Sequence, residues 1–147
     1  MKRLFTAGFI FLMLLLSACS NEEVMKNKYS FTGEGQYWEA EYIYEGTELW
    51  KEEDNRTSYS HESNDTFVLT FIGSLEEMQS IKRVDYSYET TTGGGGGFQE
   101  FDESPNEITL KSGSGGTGAT IKENEIISVS VKWNDLEESF ELVNKTE

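Results

Sequence analysis

Alternation of apolar and polar residues with a period of two constrains this chain more than any other feature. From Ile127 to Trp133 the apolar side chains fall on one side of an extended strand and the polar ones fall on the other. Residues 37–44 and 84–89 alternate in the same way, and residues 66–72 are apolar on both sides. This pattern is typical of strands with at least one buried face, so we expect an all-β domain.

The spacing of strands and turns favours an antiparallel fold. Weaker strand patterns occupy residues 29–32, 56–61 and 107–111, and the one helix signal is a capping box that begins at Ser74. About seven to nine strands without a β-α-β rhythm predict an antiparallel β-sandwich of the immunoglobulin-like type. A small β-barrel is the alternative.

A tight hairpin is expected near the end of the chain. Asn134 and Asp135 separate the strand that ends at Trp133 from a second patterned segment over residues 136–142. Both residue types tolerate a positive φ angle, as the two central residues of a type I′ turn require. We therefore predict a two-residue turn at this position.

Two glycine-rich stretches, residues 93–97 and 113–118, separate the predicted strands. The second matches Gly-x-Gly-x-x-Gly, but the residues after it predict no helix that could hold a pyrophosphate, and Ala119 stands where a P-loop has lysine. Nucleotide binding is therefore not expected. Because neither stretch has side chains that could pack, we expect both to be mobile loops.

The first 18 residues have the pattern of a bacterial export signal. Lys2 and Arg3 precede an uncharged, largely apolar run over residues 4–16, which is shorter than the roughly 20 residues that cross a bilayer as a helix. The sequence Leu-Ser-Ala-Cys follows and ends at Cys19, and it resembles the lipobox of bacterial lipoproteins. The resemblance implies cleavage of the signal helix before Cys19 and acylation of its thiol, with chains such as palmitate.

This organisation predicts three segments: a lipoprotein signal peptide over residues 1–18, a polar tether over 19–28 and a single β-sandwich domain over 29–147. After cleavage, ten basic residues oppose 27 acidic ones, which gives a net charge of −17. Such a charge repels nucleic acid and anionic headgroups, so attachment to the outer face of the cell membrane has to come from acyl chains on Cys19. The chain has no second cysteine for a disulfide.

No catalytic or metal-binding pattern stands out in the sequence. His61 is the one histidine, and its polar neighbours predict a solvated side chain. The 27 acids make carboxylate pairs of any spacing available, so their number does not by itself point to a glycosidase-like enzyme. Oxygen-rich segments at 51–55 and 100–107 could bind Ca²⁺ weakly, and no other cofactor or metal is expected.

The three tryptophans fall into two groups. Trp38 and Trp133 lie in alternating segments and are expected in the core. Trp50 has polar neighbours on both sides, so an exposed Trp50 would mark a possible recognition surface. A tryptophan that covers the edge of a sheet is the more common arrangement.

Two segments look like the ends of a group of small lipoproteins from Bacillus and related Gram-positive bacteria. These are Gly-Glu-Gly-Gln-Tyr-Trp-Glu-Ala-Glu-Tyr at 33–42 and Val-Ser-Val-Lys-Trp-Asn-Asp-Leu-Glu-Glu-Ser-Phe-Glu-Leu at 129–142. The group has a Gly-Glu-Gly-x-x-Trp opening and a Val-x-Val-x-Trp-Asn-Gly-x-x-Glu-Ser/Thr-Phe-x-Leu close, and the chain departs from it at Asp135. The resemblance implies a location at the cell surface and no particular chemistry.

The sequence therefore predicts an extracellular, membrane-anchored lipoprotein that is not an enzyme. We expect a binding or accessory module for a protein or a cell-wall component. A small cell-wall hydrolase that uses a carboxylate pair is the alternative, and an accessory subunit that docks in an envelope complex is a third possibility.

Overall fold

The computed structural model of the protein describes residues 21–118 and 120–145. Within them, eight strands form one antiparallel sheet in the order β5-β4-β7-β8-β1-β2-β3-β6. A short helix, α1 (Leu75–Gln79), lies between β3 and β4. The strands are β1 (Asn21–Glu34), β2 (Trp38–Glu53), β3 (Arg56–Phe71), β4 (Arg83–Thr90), β5 (Gly93–Glu100), β6 (Thr109–Gly116), β7 (Ile126–Trp133) and β8 (Leu136–Asn144).

The sheet curls until its two halves face each other. Phe67 of β3 stacks on Tyr88 of β4 with ring centroids 4.5 Å apart, although four strands lie between β3 and β4 in the sheet. In the part of the chain that the structure describes, the edge strands β5 and β6 do not pair with each other, so the barrel is nearly but not fully closed. The all-β prediction is confirmed, in the form of the small barrel rather than of two separate sheets.

The junction between β1 and β8 explains why the sequence pattern suits both architectures. Two residue pairs, Phe31–Asn144 and Thr32–Val143, join these strands. This short junction divides the sheet into two halves of four strands each. Alternation shows which face of each strand is buried, and that face is the same in a sandwich and in a curled sheet.

Aromatic and branched side chains fill the interior of the barrel. Trp38 and Trp133 are buried as predicted, and their rings meet edge-to-face at 5.7 Å. Each fully buried large apolar side chain contributes about 1.5–3 kcal/mol to stability, so this core can support a domain without a disulfide. Other buried members of the core are Phe31, Tyr42, Tyr44, Phe67, Leu69, Val84, Ile127, Val129, Val131 and Leu142.

Two of the tight turns between neighbouring strands contain residues with a positive φ angle, and these two turns differ in backbone conformation. Asp54 and Asn55 connect β2 to β3, and both have positive φ angles, 50° and 58°, as a type I′ turn requires. Asn134 and Asp135 connect β7 to β8, which confirms the predicted terminal hairpin. In that turn Asn134 has a φ of 50° and Asp135 does not have a positive φ, so the expected type I′ conformation is wrong there.

Helix α1 begins at the predicted capping box. Ser74 Oγ accepts a hydrogen bond from the Glu77 backbone N–H at 3.3 Å, and the Glu77 carboxylate accepts one from the Ser74 N–H at 2.9 Å. Met78 is the buried residue of the helix and packs on the core. These contacts allow a helix of only five residues to persist.

Much of the two glycine-rich stretches forms strands, so the prediction of mobile loops is wrong for residues 93–97 and 113–116. Residues 93–100 pair with β4, and residues 109–116 pair with β3. Strand pairing uses backbone groups and needs no side chain, and neighbouring tyrosines supply the missing packing. A Cβ added at Gly95 would overlap the Tyr88 ring, so glycine at this position lets a tyrosine lie over the edge strand.

The predicted tether over residues 19–28 also needs correction where the structure describes it. Residues 21–28 are the first part of β1 and pair with residues 45–52 of β2. Most of this segment is polar and exposed on both faces, so it lacks the alternation by which a strand is recognised. We define residues 21–26 and 47–60 as the arm, a three-stranded extension of the barrel. Residues 1–18, Cys19 and Ser20 lie outside the described residues.

Candidate functional site

A polar cleft of about 220 Å³ lies at the seam between the edge strands β5 and β6. It combines the first residues of β5 with the last residues of β6, and we name it the mouth. Glycines from both edges contribute backbone to its lining. The side chains that matter for its chemistry are Tyr42, Ser63, Asp65, Tyr88, Thr90 and Ser114.

Asp65 is the acidic residue of the mouth. Its Oδ2 accepts a hydrogen bond from Ser114 Oγ at 3.1 Å, across the pairing of β3 with β6. Its Oδ1 is buried, and a hydrogen bond between this carboxylate and the Tyr42 side chain is one of the causes that raise the pKa of Tyr42. A carboxylate has about four acceptor positions, so Asp65 can accept a further hydrogen bond from a ligand in the mouth.

Two tyrosines form the wall of the mouth beside Asp65. The rings of Tyr42 and Tyr88 lie 5.5 Å apart. Burial, and then the charge of Asp65, raise the pKa of Tyr42 above its ordinary value of 10.0, and burial likewise raises the pKa of Tyr88. Both phenol groups therefore stay protonated near neutral pH and can donate hydrogen bonds.

The mouth thus offers hydroxyl groups, strand-edge backbone and one carboxylate to a ligand. At Gly93 no heavy atom lies within 4 Å of the place that a Cβ would take, so the space above this edge is open. A group that carries several hydrogen-bond donors, such as a sugar hydroxyl or an ammonium, complements this set. Asp65 is the one carboxylate among the lining residues of the mouth, whereas most glycosidases use a pair.

His61 is buried, so the prediction of a solvated side chain is wrong. Its Nε2 lies 3.0 Å from Tyr44 Oη, and its Nδ1 lies 3.0 Å from the carbonyl oxygen of Gly118. These partners are 17 and 57 residues away in the chain, so the neighbours of His61 in sequence carry no signal for them. The histidine holds the segment after β6 against β2, next to the mouth.

Trp50, the predicted recognition residue, lies on the arm and not in the lining of the mouth. Its side chain is 41% exposed, and its ring centroid lies 4.5 Å from that of Tyr59, which is 48% exposed. The two residues are directly opposite each other in the pairing of β2 with β3. The structure therefore places Trp50 in an exposed aromatic pair.

The two oxygen-rich segments predicted as weak Ca²⁺ sites, residues 51–55 and 100–107, lie in different parts of the fold. Residues 51–55 form the end of β2 and its turn, and residues 100–107 begin at the last residue of β5. Within the described ranges, no three side chains of His, Cys, Asp or Glu come together in a group that could hold a metal ion.

Glu138, which sequence reasoning did not single out, connects the two segments of the lipoprotein resemblance. Its carboxylate on β8 accepts hydrogen bonds from the backbone N–H groups of Gln36, Tyr37 and Trp38, the last two at 3.1 Å. A Cβ at Gly35 would collide with this carboxylate. Gly35 and Glu138 thus hold the β1–β2 turn against β8, which is a structural role.

Comparison with known proteins gives no further assignment. No protein-family model matches the chain, and no curated protein or solved structure is significantly similar to it. The resemblance to small Gram-positive lipoproteins stays a prediction.

Two observations concern the way in which the chain could be attached to a membrane. No helix within the described residues is long and apolar enough to cross a bilayer. Cys19, the predicted site of lipidation, lies two residues before Asn21, the first described residue.

Proposed function

We propose that the mature protein is a lipoprotein, held by acyl chains on Cys19 to the outer face of a Gram-positive cell membrane, and that its barrel binds an extracellular partner without catalysing a reaction. The charged start, the apolar run and the lipobox support the anchor. Two or more acyl chains give stable membrane binding, whereas one gives marginal binding.

The observation that carries the binding proposal is the carboxylate of Asp65, which lines the mouth together with Tyr42, Tyr88 and Ser114. With two protonated phenols and several hydroxyls around it, this carboxylate suits a ligand with hydroxyl or ammonium groups. The volume of about 220 Å³ is below the roughly 300–1,000 Å³ of drug-sized pockets, so the mouth fits one small group of a larger molecule.

A cell-wall component suits this site better than a protein partner does. A stable protein interface buries about 800 Å² on each partner and has an apolar centre. The mouth is narrow and polar. Wall polymers carry many hydroxyl and amino groups, and a lipoprotein on the outer face of the membrane lies next to them.

The proposal is tested by titrating the purified, acylated protein in detergent with soluble fragments of the cell wall. Asp65→Asn removes the charge in the mouth, and Asp102→Asn removes the same charge from an exposed residue outside it. We expect wild type and Asp102→Asn to bind equally and Asp65→Asn to bind at least about tenfold more weakly. Equal binding by all three proteins, or binding by none, would contradict the proposal. Release of smaller fragments by the wild type would favour the hydrolase alternative.

A further inference from the structure

The arm exposes apolar side chains on both of its faces. Trp50, Tyr59 and Met25 point to the face that continues the interior of the barrel, because they alternate in register with its core residues. Val24 points to the opposite face and is 53% exposed. Single exposed apolar side chains are common, but the contiguous exposed pair of Trp50 and Tyr59 is typical of a surface that contacts a partner or an interface.

The position of Cys19 identifies that interface. Cys19 precedes Glu23 by four residues. A fully extended chain of that length spans at most about 14 Å. Glu23 is directly opposite Trp50 in the pairing of β1 with β2. An acyl chain on Cys19 therefore brings the Trp50–Tyr59 pair close to the lipid headgroups.

We infer that the end of the arm rests on the outer leaflet, with Trp50 and Tyr59 in contact with the headgroups. This inference relies on the proposed acylation of Cys19. Tryptophan and tyrosine favour the membrane–water interface, because one end of each ring system is apolar and the other forms hydrogen bonds. Instead of a flexible tether, a paired sheet would then join the barrel to the membrane.

The charges of the arm limit how deep this contact goes. The arm carries six acidic and three basic residues, a net charge of −3. Its ion pair between Lys51 and Glu22, 2.6 Å apart, is about half exposed on both sides. These groups have to stay hydrated, so the arm lies on the headgroups and does not enter the hydrocarbon. A zwitterionic bilayer is the appropriate surface for a test.

Tryptophan fluorescence tests this contact directly. The acylated protein is reconstituted in phosphatidylcholine vesicles that contain lipids with a quenching spin label on the headgroup. Trp38 and Trp133 serve as internal controls: both are buried, and Trp38 lies twelve residues from Trp50 on the same strand, about 40 Å away. Subtracting the emission of Trp50→Phe isolates the signal of Trp50. We expect labelled vesicles to remove most of that signal and to leave the emission of Trp50→Phe nearly unchanged.

The possible outcomes separate this inference from the proposed anchor. If the wild-type protein does not float with the vesicles, the lipid anchor itself is wrong. If it floats but Trp50 is quenched no more than in Cys19→Ala protein mixed with the same vesicles, the anchor stands and the arm contact is overturned. A Trp50 emission that shifts with the concentration of the Cys19→Ala protein would show a second copy on the arm, which also overturns the membrane contact.

Discussion

The hydroxyl oxygen of Tyr44 and the Nε2 atom of His61 lie 3.0 Å apart, on adjacent strands of the barrel. The other ring nitrogen of His61 faces the Gly118 carbonyl, which can only accept a hydrogen bond. Nδ1 therefore carries the proton, and in the neutral ring Nε2 accepts from Tyr44. Burial is the main cause that raises the pKa of Tyr44, so the phenol keeps the proton that it donates.

Removal of the Tyr44 hydroxyl should destabilise the protein. In Tyr44→Phe the buried Nε2 of His61 loses its partner, and we expect the free energy of unfolding to fall by about 1–3 kcal/mol. Tyr59→Phe is the control, because it removes the hydroxyl of an exposed tyrosine. It should change the free energy of unfolding by less than about 0.5 kcal/mol. Urea denaturation of both variants measures the difference. Equal stability of the two variants would show that the Tyr44–His61 contact contributes nothing.

Two glycines should respond in opposite ways to replacement by alanine. A Cβ at Gly33 would overlap the backbone carbonyl of Glu141, which cannot move without disturbing β8. We therefore expect Gly33→Ala to cost about 3 kcal/mol. At Gly93 a Cβ meets nothing within 4 Å, and Gly93→Ala should leave stability unchanged or raise it by about 0.5 kcal/mol. Thermal unfolding compares the two, and a tolerated Gly33→Ala would contradict the close approach of β1 to β8.

The capping box of α1 predicts a measurable effect of pH. Hydrogen bonds from the Ser74 side chain and backbone lower the pKa of Glu77 below its ordinary value of 4.5. The pKa of Glu77 is therefore lower in the folded protein than in the unfolded chain. The ionised Glu77 carboxylate stabilises the fold above pH 4.5, and this stabilisation is lost as the pH falls through the folded-state pKa. In Ser74→Ala we expect the pKa of Glu77, followed by NMR titration, to move up towards 4.5. An unchanged pKa would mean that Ser74 Oγ is not responsible for the shift.

Local sequence signals predicted those parts of the fold whose partners are near in sequence. The alternation over residues 126–133 reports one buried face, and the spacing of Ser74 and Glu77 reports a helix start, because each depends on residues within a few positions. The strand pattern could not separate a sandwich from a barrel, since the difference lies in the short pairing of β1 with β8, across more than 100 residues.

The candidate site could not be predicted, because its parts are brought together by pairing between distant strands. Asp65 meets Ser114, which is 49 residues further along the chain. Residues 93–97 have no side chains whose pattern could be read, and they form a strand because Tyr86 and Tyr88 on β4 cover them. The polar first half of β1 likewise pairs with β2 without any alternation of its own.

We propose above all that the protein is exported and held to the membrane by lipid on Cys19. Intact-mass analysis of the protein from the membrane fraction tests it most directly, together with fractionation of Cys19→Ala. We predict a mature chain that starts at Cys19 and carries the mass of a diacylglyceryl group, and a Cys19→Ala protein that leaves the membrane fraction. A chain that retains Met1 with an unmodified thiol, or a Cys19→Ala protein bound as firmly as the wild type, would contradict the account.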